Sequence, residues 1–249
     1  MSLVLFEVRD NVALLTLNNP DKRNMLTVEV CEQIVSYVAK AESNPEVKAL
    51  IVTGVGRAFC AGGQLSDLTP NQAVLESIYS GFLSLANCSL PTIAAINGPA
   101  VGAGFNMAVG CDVRIVTEQA RFEPRFFGLG LHPGGGNTWM LRQLANWNTA
   151  AGMLLFSQSL SGREAVEKGL AWKCVEASQL LEEAFAFTAN TRDLPKELLL
   201  RTKATLRQAG GTNSHKEILE LETAEQIWSI QQPYARDSIA AMMEKISSK

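Results

Sequence analysis

The 249-residue chain is 47% hydrophobic and carries a formal net charge of −3, which allows one large core or a core with an appendage. Acidic and basic residues are mixed without a basic block, so nucleic acid is not expected as a partner. The longest weakly polar stretch, residues 92–110, is interrupted by Asn97, Pro99 and glycines, so no segment is expected to cross a membrane.

The cysteines and the N-terminal residues indicate the cellular compartment in which the protein is expected. The five cysteines are odd in number and no two lie at metal-ligand spacing, which is typical of reduced thiols in a cytosolic protein and predicts no metal site. The start of the chain lacks the basic segment of a secretory signal, because Glu7, Arg9 and Asp10 come early. We therefore expect a cytoplasmic protein.

The first third of the chain predicts a hairpin, a helix and a buried strand. Apolar runs on either side of a polar turn favour a β-hairpin within residues 4–17. Thr27 can cap a helix whose apolar residues at helical spacing are Val30, Ile34, Val35 and Val38. A continuous apolar run predicts a short strand at residues 49–53.

The rest of the chain predicts alternating elements and then helices alone. A helix is expected at residues 75–86, and buried strands at 92–97 and 113–117. Helices dominate thereafter, with one short strand near 172–175, and the pattern is almost wholly helical from about residue 194. Strand–helix alternation followed by helices predicts an α/β core with an α-helical tail.

Two glycine-containing turns follow buried strands and suggest a binding site. These turns are Ala61-Gly62-Gly63 and Gly102-Ala103-Gly104. Glycine permits positive φ and a close approach of backbone to a ligand, and a helix that begins after a turn presents free N–H groups. If both turns face one cleft, they supply the two donors that a thioester oxygen needs as it becomes an enolate or oxyanion. The alternative is that both turns are packing corners.

The second turn also partly matches the dinucleotide fingerprint G-x-G-x-x-G. Gly102 and Gly104 fit, but Met107 occupies the third glycine position, and no acidic residue follows a second strand in the expected place. A dinucleotide site is therefore not predicted.

Five segments taken together resemble the crotonase superfamily, the enoyl-CoA hydratase/isomerase family. In chain order they are LNNPDKRNML at 17–26, FCAGGQL at 59–65, PTIAAINGPAVGAGFNMAVGCDVRI at 91–115, ARFEPRFFGLGLHPGGGNTWMLRQL at 120–144 and LSGREAVEKGLAWKCV at 160–175. They follow the family order and cover most of residues 1–180.

The resemblance implies an α/β crotonase (ClpP-like) fold, in which repeated ββα units form a twisted spiral core followed by helices. It implies a core domain at residues 1–193 and a helical trimerisation or lid region at 194–249. It further implies a homotrimer or a dimer of trimers, an acyl-CoA substrate, and no cofactor apart from the coenzyme A of the thioester. The four tryptophans are then expected in the core or at subunit contacts.

The same resemblance implies the residues of the site. The two oxyanion N–H donors fall on Gly63 and Ala103, and the segment around Lys22 would meet the nucleotide end of CoA, where phosphates favour cations. The residues expected to contact acyl-CoA are Lys22, Arg23, Met25, Ala61, Gly63, Gln64, Leu65, Ser66, Gly102, Ala103 and Arg125.

Two positions depart from the family's hydratases, which use two glutamates to activate water and to exchange a proton at the α-carbon. The first glutamate lies three residues after the second oxyanion donor, where this chain has Asn106, and the second falls on Phe126. Neither side chain can exchange a proton near neutral pH. Because general acid–base catalysis contributes about 10²–10⁴-fold for each group, standard hydration is not expected.

Four other residues are candidates for the missing chemistry. His132 titrates in the right range to act as acid or base, although a turn-stabilising hydrogen bond is an alternative. Arg125 could hold a second carboxylate of the acyl group or form a surface salt bridge. Asp67 is either a helix-dipole partner or part of the acyl pocket, and Glu123 is expected to point away from the Phe126 side.

These observations leave two main functions open. The first is an enzyme that stabilises a thioester enolate, with decarboxylation favoured because loss of CO₂ needs no base, and with Asn106 or Arg125 orienting the leaving carboxylate. Specialised hydration, with water positioned by Asn106, is a variant of it. The second is a catalytically inactive acyl-CoA-binding protein on the same scaffold. A purely structural oligomer is not favoured, because packing alone is not expected to require both glycine turns.

Overall fold

The computed structural model describes residues 2–67, 71–212 and 214–247, with the backbone alone of Asp67 and Ser247. The chain divides into two compact units, Met1–Arg192 and Asp193–Lys249. No helix in the described ranges is both long and apolar enough to span a bilayer. The trimerisation or lid role of the tail stays a prediction.

Nine short strands are assigned within the described ranges, all in the first unit. They are β1 (Val4–Arg9), β2 (Val12–Leu17), β3 (Ala49–Gly54), β4 (Thr92–Ile96), β5 (Pro99–Val101), β6 (Val113–Thr117), β7 (Arg121–Glu123), β8 (Leu160–Ser161) and β9 (Lys173–Val175). The main sheet has the order β1-β2-β3-β4-β6-β9, antiparallel between β1 and β2 and parallel elsewhere. The predicted hairpin and the mixed α/β class are confirmed.

The helices of the first unit are α1 (Val28–Ser43), α2 (Gln72–Asn87), α3 (Ala103–Gly110), α4 (Asn137–Leu144), α5 (Trp147–Leu155), α6 (Gly162–Glu167), α7 (Leu180–Phe187) and α8 (Ala189–Arg192). As predicted, the Thr27 side chain caps α1 by accepting a hydrogen bond from the Val30 N–H. Of the four apolar residues at helical spacing, Val35 is 38% exposed. It lies beside the buried stripe that contains Ile34 and Val38.

A second, small sheet was not predicted from the sequence. It has the order β5-β7-β8, with β5 parallel to β7. Its strands are only two or three residues long, which is too short for a periodic apolar pattern. The Gly102 N–H donates to the Glu123 carbonyl at 2.9 Å, so this sheet brings the second glycine turn beside the segment that carries Arg125 and Phe126.

Three tryptophans lie on the surface of the first unit. Trp139, Trp147 and Trp172 are 66%, 68% and 67% exposed, which excludes a core position for each in this unit. Their expected role at subunit contacts stays a prediction.

The second unit is helical. It contains α9 (Lys196–Ala209), α10 (His215–Gln231) and α11 (Pro233–Ser247). Arg201 of α9 pairs with Glu225 of α10 at 3.1 Å and lies 4.1 Å above the Trp228 ring, which links these two helices.

Candidate active site

The two glycine turns lie side by side, because each follows one of two neighbouring, hydrogen-bonded backbone segments. Cys60 and Ala100 form a parallel bridge, in which the Cys60 N–H donates to the Pro99 carbonyl at 3.1 Å and the Val101 N–H donates to the Cys60 carbonyl at 2.9 Å. The turns at 61–63 and 102–104 begin directly after this bridge. The arrangement agrees with the expectation that both turns face one cleft.

Packing alone requires glycine in both turns, contrary to the sequence-based expectation. Gly62 has a φ of +96°, and a Cβ there would lie 2.7 Å from the Val101 carbonyl oxygen. A Cβ on Gly104 would collide with Cys60. The glycines therefore explain the close contact of the turns, and the evidence for a binding site must come from the free N–H groups and the cavity beside them.

The Gly63 N–H points away from its neighbouring segment. In the bridge between Leu26 and Gly63, the Leu26 N–H donates to the Gly62 carbonyl at 2.8 Å and the Gln64 N–H donates to the Leu26 carbonyl at 3.0 Å. Successive N–H groups of extended backbone point in opposite directions, so the Gly63 N–H faces the other side. Among the described residues it has no hydrogen-bond acceptor.

The Ala103 N–H belongs to the first residue of α3, and Gly102 precedes the helix with a φ of +51°. An N–H in the first turn has no acceptor within its own helix, and no other acceptor is found for it in the part of the chain that the structure describes. Gly63 and Ala103 both line one cavity of about 480 Å³. Two free backbone donors at one cavity are the requirement for an oxyanion hole.

The cavity collects most of the residues implied by the resemblance. Its lining is largely apolar and includes, of those residues, Ala61, Gly63, Gln64, Leu65, Gly102, Ala103, Asn106, Arg125, Phe126 and His132. Four expected contacts, Lys22, Arg23, Met25 and Ser66, are not part of this lining. The segment that holds the first three still runs along the first turn, since the Ala61 N–H donates to the Arg23 carbonyl at 2.9 Å.

Asn106 is buried, and hydrogen bonds hold both ends of its amide. Its Nδ2 donates to the Gly134 carbonyl at 2.9 Å, and its Oδ1 accepts from Nδ2 of Asn137 at 2.6 Å. The Gly134 carbonyl can only accept, which fixes the amide orientation. Oδ1 of Asn137 is buried without a hydrogen-bond partner among the described residues. Asn106 lines the cavity, and no acceptor is found among the described residues for its second N–H.

Phe126 and Arg125 lie in the cavity wall after β7. Arg125, with a φ of +51°, pairs through Nη2 with Oε2 of Glu123 at 2.5 Å. Arg121 approaches the same carboxylate at 3.8 Å, so Glu123 is engaged with two cations. The salt bridge foreseen for Arg125 is present. A substrate carboxylate at Arg125 would therefore compete with Glu123.

His132 is exposed at the cavity and makes a backbone contact. Its Nδ1 lies 2.7 Å from the Pro133 carbonyl oxygen. That contact requires a proton on Nδ1, which leaves Nε2 of a neutral ring as an acceptor. The foreseen turn-stabilising hydrogen bond is present, and Nε2 is available for other contacts.

Two further residues bear on nucleophilic and acid–base chemistry. Burial raises the pKa of the Cys60 thiol to about 12, so this cysteine beside the first turn stays protonated and does not act as a nucleophile. The side chain of Asp67 lies outside the described residues. Among the described residues that line the cavity, none carries a carboxylate.

Sequence reasoning missed the wall that α2 supplies. Leu75, Ile78 and Tyr79 line the cavity, and Tyr79 brings the phenol hydroxyl there. The available signal was the helical spacing of Ile78, Phe82 and Leu85, which are buried and place Tyr79 next to the inward face of the helix.

Comparisons with known proteins bear on this site. The family model for enoyl-CoA hydratase/isomerase matches residues 7–249. The chain is 40% identical over 252 aligned residues to EchA14 of Mycobacterium tuberculosis, a probable enoyl-CoA hydratase, with 97% of this chain and 98% of that protein covered. It is 31% identical over 256 residues to the 1,2-epoxyphenylacetyl-CoA isomerase of Escherichia coli, with 99% and 97% covered.

A solved structure has the same fold. The crystal structure of a probable enoyl-CoA hydratase/isomerase from Mycobacterium abscessus superposes with a TM-score of 0.89 at 28% sequence identity, covering 98% of this chain and 97% of that one. The match of the family model over nearly the whole chain and the likeness of the folds confirm the resemblance that the sequence motifs indicated. The chain therefore belongs to the enoyl-CoA hydratase/isomerase family and has the crotonase fold.

Proposed function

We propose that this family enzyme binds an acyl-CoA thioester in the cavity and stabilises its enolate through the Gly63 and Ala103 N–H groups, without the two-glutamate hydration reaction. The observation that carries the proposal is the cavity lining: two free backbone donors are present, and the described lining residues include no carboxylate. Asn106 and Phe126, the positions of the family's glutamates, both lie in that lining. The described lining therefore supplies two hydrogen-bond donors for the thioester oxygen, but it supplies no carboxylate that could activate water.

Decarboxylation of a malonyl-type thioester fits this arrangement. Loss of CO₂ generates the enolate directly, so no group has to remove a proton from carbon. The remaining N–H of Asn106 is a donor that can orient the departing carboxylate, and its amide is held in place by Gly134 and Asn137. The proposed reaction needs no metal or redox cofactor, because the thioester carbonyl takes up the electron pair of the broken bond and a proton replaces the carboxylate.

The alternative is a catalytically inactive acyl-CoA-binding protein. The pairing of Arg125 with Glu123 at 2.5 Å favours this reading, because a cation that is already paired attracts a substrate carboxylate less strongly. The enzyme and the inactive binding protein both require the oxyanion hole, and they differ only in whether the bound thioester is converted to product.

For the assembly and its location, we propose a cytoplasmic homotrimer or a dimer of trimers. Trp172 and Phe187 are 67% and 40% exposed and pack against each other with a ring-centroid distance of 5.4 Å; this exposed apolar pair supports self-association, since exposed apolar patches mark contact sites. All five cysteines are free thiols, which is consistent with a reducing compartment.

One set of assays on the purified chain tests the proposed chemistry. Calorimetry should detect binding of acetyl-CoA, malonyl-CoA should yield acetyl-CoA and CO₂, and crotonyl-CoA should be hydrated at least about 10²-fold more slowly than usual for the family. Rapid loss of the crotonyl absorbance would overturn the proposal. Binding without turnover of either thioester would leave the inactive binder, and absence of binding would exclude both readings. Asp67→Asn, assayed in parallel, shows whether that carboxylate contributes.

A further inference from the structure

Three side chains that line the described cavity carry titratable groups: Tyr79, Arg125 and His132. Arg125 is paired with Glu123, and a guanidinium does not release its proton under ordinary conditions. His132 is exposed and uses Nδ1 for the Pro133 carbonyl, so a neutral ring offers an acceptor and no proton to the cavity. Tyr79 is half-buried, and its hydroxyl has no hydrogen-bond partner among the described residues.

The Tyr79 hydroxyl lies beside the group that fixes Asn106. A Cβ placed on Gly134 would be 2.5 Å from this hydroxyl oxygen, so a larger residue there would displace the phenol hydroxyl from its position. The carbonyl of the same Gly134 accepts the hydrogen bond from Asn106 at 2.9 Å. The hydroxyl of Tyr79 and the amide of Asn106 are thus both next to Gly134, on the side of the cavity formed by α2 and α3.

The phenol ring is supported by packing on its own helix. It contacts the ring of Phe82 with a centroid distance of 5.6 Å, and Phe82 is fully buried. A Cβ on Gly135 would collide with Phe82, so Gly134 and Gly135 leave space for the two aromatic rings. This arrangement gives these two glycines a role that the sequence did not reveal, namely to accommodate Tyr79 at the cavity.

We propose that Tyr79 is the catalytic acid that protonates the α-carbon of the thioester enolate. This inference rests on the proposed function above. The carbon–carboxylate bond breaks, its electron pair forms the enolate held by Gly63 and Ala103, and CO₂ leaves. The enolate then takes the phenol proton to form the new C–H bond, and water returns a proton to the phenolate. Because Tyr79 lies beside Asn106, the proton arrives on the face that the carboxylate has left.

The test compares wild type, Tyr79→Phe and the matched control Tyr37→Phe, which removes the same hydroxyl from α1, where Tyr37 stacks on Phe6 outside the cavity lining. Methylmalonyl-CoA is turned over briefly in D₂O, and the configuration of the deuterated propionyl-CoA is read from NMR of a chiral derivative. Acetyl-CoA affinity is measured by calorimetry on the same samples.

We expect wild type and Tyr37→Phe to give one enantiomer, with deuterium replacing the carboxylate with retention. Tyr79→Phe should lose about 10²-fold or more in kcat, give a mixture of enantiomers, and bind acetyl-CoA within about twofold of wild type. If Tyr79→Phe keeps the kcat and the single product configuration of wild type, the assignment of Tyr79 is wrong. The same holds if His132→Gln loses activity and stereospecificity while Tyr79→Phe keeps them. Either result would leave the proposed function standing. A wild type that binds acetyl-CoA but releases no CO₂ would refute decarboxylation and Tyr79 together.

Discussion

Asn106 and its surroundings are matched to an amide rather than to a carboxylate. The Gly134 carbonyl oxygen accepts a hydrogen bond from Nδ2, and a carboxylate has no proton to offer it. Two oxygens facing each other in a buried site leave an acceptor unsatisfied, which costs about 1–3 kcal/mol. The backbone beside residue 106 would therefore disfavour a charged carboxylate at this position.

This matching predicts a pH-dependent penalty for Asn106→Asp. At pH 7.5 the variant should lose about 1–3 kcal/mol of unfolding free energy, because the ionised carboxylate faces the Gly134 carbonyl. Burial should raise the pKa of the new carboxyl above the unfolded value of about 3.9. The folded state then holds its proton more tightly, so the penalty shrinks as the pH falls from 7.5 to 5. Urea unfolding at both pH values measures it.

Asn148→Asp is the control for that experiment, since it introduces the same charge at an exposed position of α5. It should change stability little at either pH. An Asn106→Asp protein as stable as wild type at pH 7.5 would show that Gly134 does not constrain residue 106.

The residues of the site differ in how far the sequence reveals them. Gly63, Ala103 and Asn106 were implied by the family resemblance, which rests on motifs at a strand end or a helix start. Tyr79 and Gly134 were not, because their proximity depends on how α2 packs against a distant loop. A surface salt bridge of Arg125 was anticipated as one of two alternatives, but its partner Glu123 was not, because spacing along a strand does not decide which partner a long side chain selects.

At the scale of elements, the start of α3 supplies a free backbone donor to the cavity. Ala103 is the first residue of this helix, and its N–H is one of the two free donors at the cavity. Proline is tolerated at the first helical position, where its fixed φ suits the helix and its missing N–H breaks no helical hydrogen bond. The donor can therefore be removed with little change to the helix.

Ala103→Pro should lower the turnover of malonyl-CoA by about 10²–10³-fold, the usual effect of removing one oxyanion donor. Its melting temperature should stay close to that of Ala103→Ser, the matched control that keeps the N–H. Turnover equal to that of the serine variant would exclude Ala103 as an oxyanion donor, provided that circular dichroism shows both proteins folded.

The longer elements were predictable and the shortest were not. The second strand of the hairpin, β2, is apolar at five of its six positions and buried at all five, and such a run is long enough to predict a strand. By contrast, β5, β7 and β8 depend on pairing between distant segments, which a pattern over two or three residues does not encode. These short strands nevertheless place Gly102 beside the Arg125 segment, so the part of the fold hardest to predict is the part that builds the cavity.

For the whole molecule, the exposed aromatic surface of the first unit predicts self-association. Trp139, Trp147 and Phe156 are 66%, 68% and 71% exposed. Leaving three large apolar side chains in water forgoes about 1.5–3 kcal/mol for each that a partner could cover. Contact between copies of the chain would remove that cost and is the assembly that the family resemblance implies.

Mass photometry and sedimentation should therefore give three or six times the chain mass of 27.0 kDa. Trp147→Lys, which places a charge on this surface, should shift the protein toward smaller species, because burying an unpaired charge at a contact is costly. Ser36→Lys, which places the same charge at an exposed position of α1 in the first unit, is the control that tests whether any added charge suffices. A protein that stays at 27.0 kDa at micromolar concentration would refute the oligomer. An oligomer unaffected by Trp147→Lys would instead place the contact on another surface.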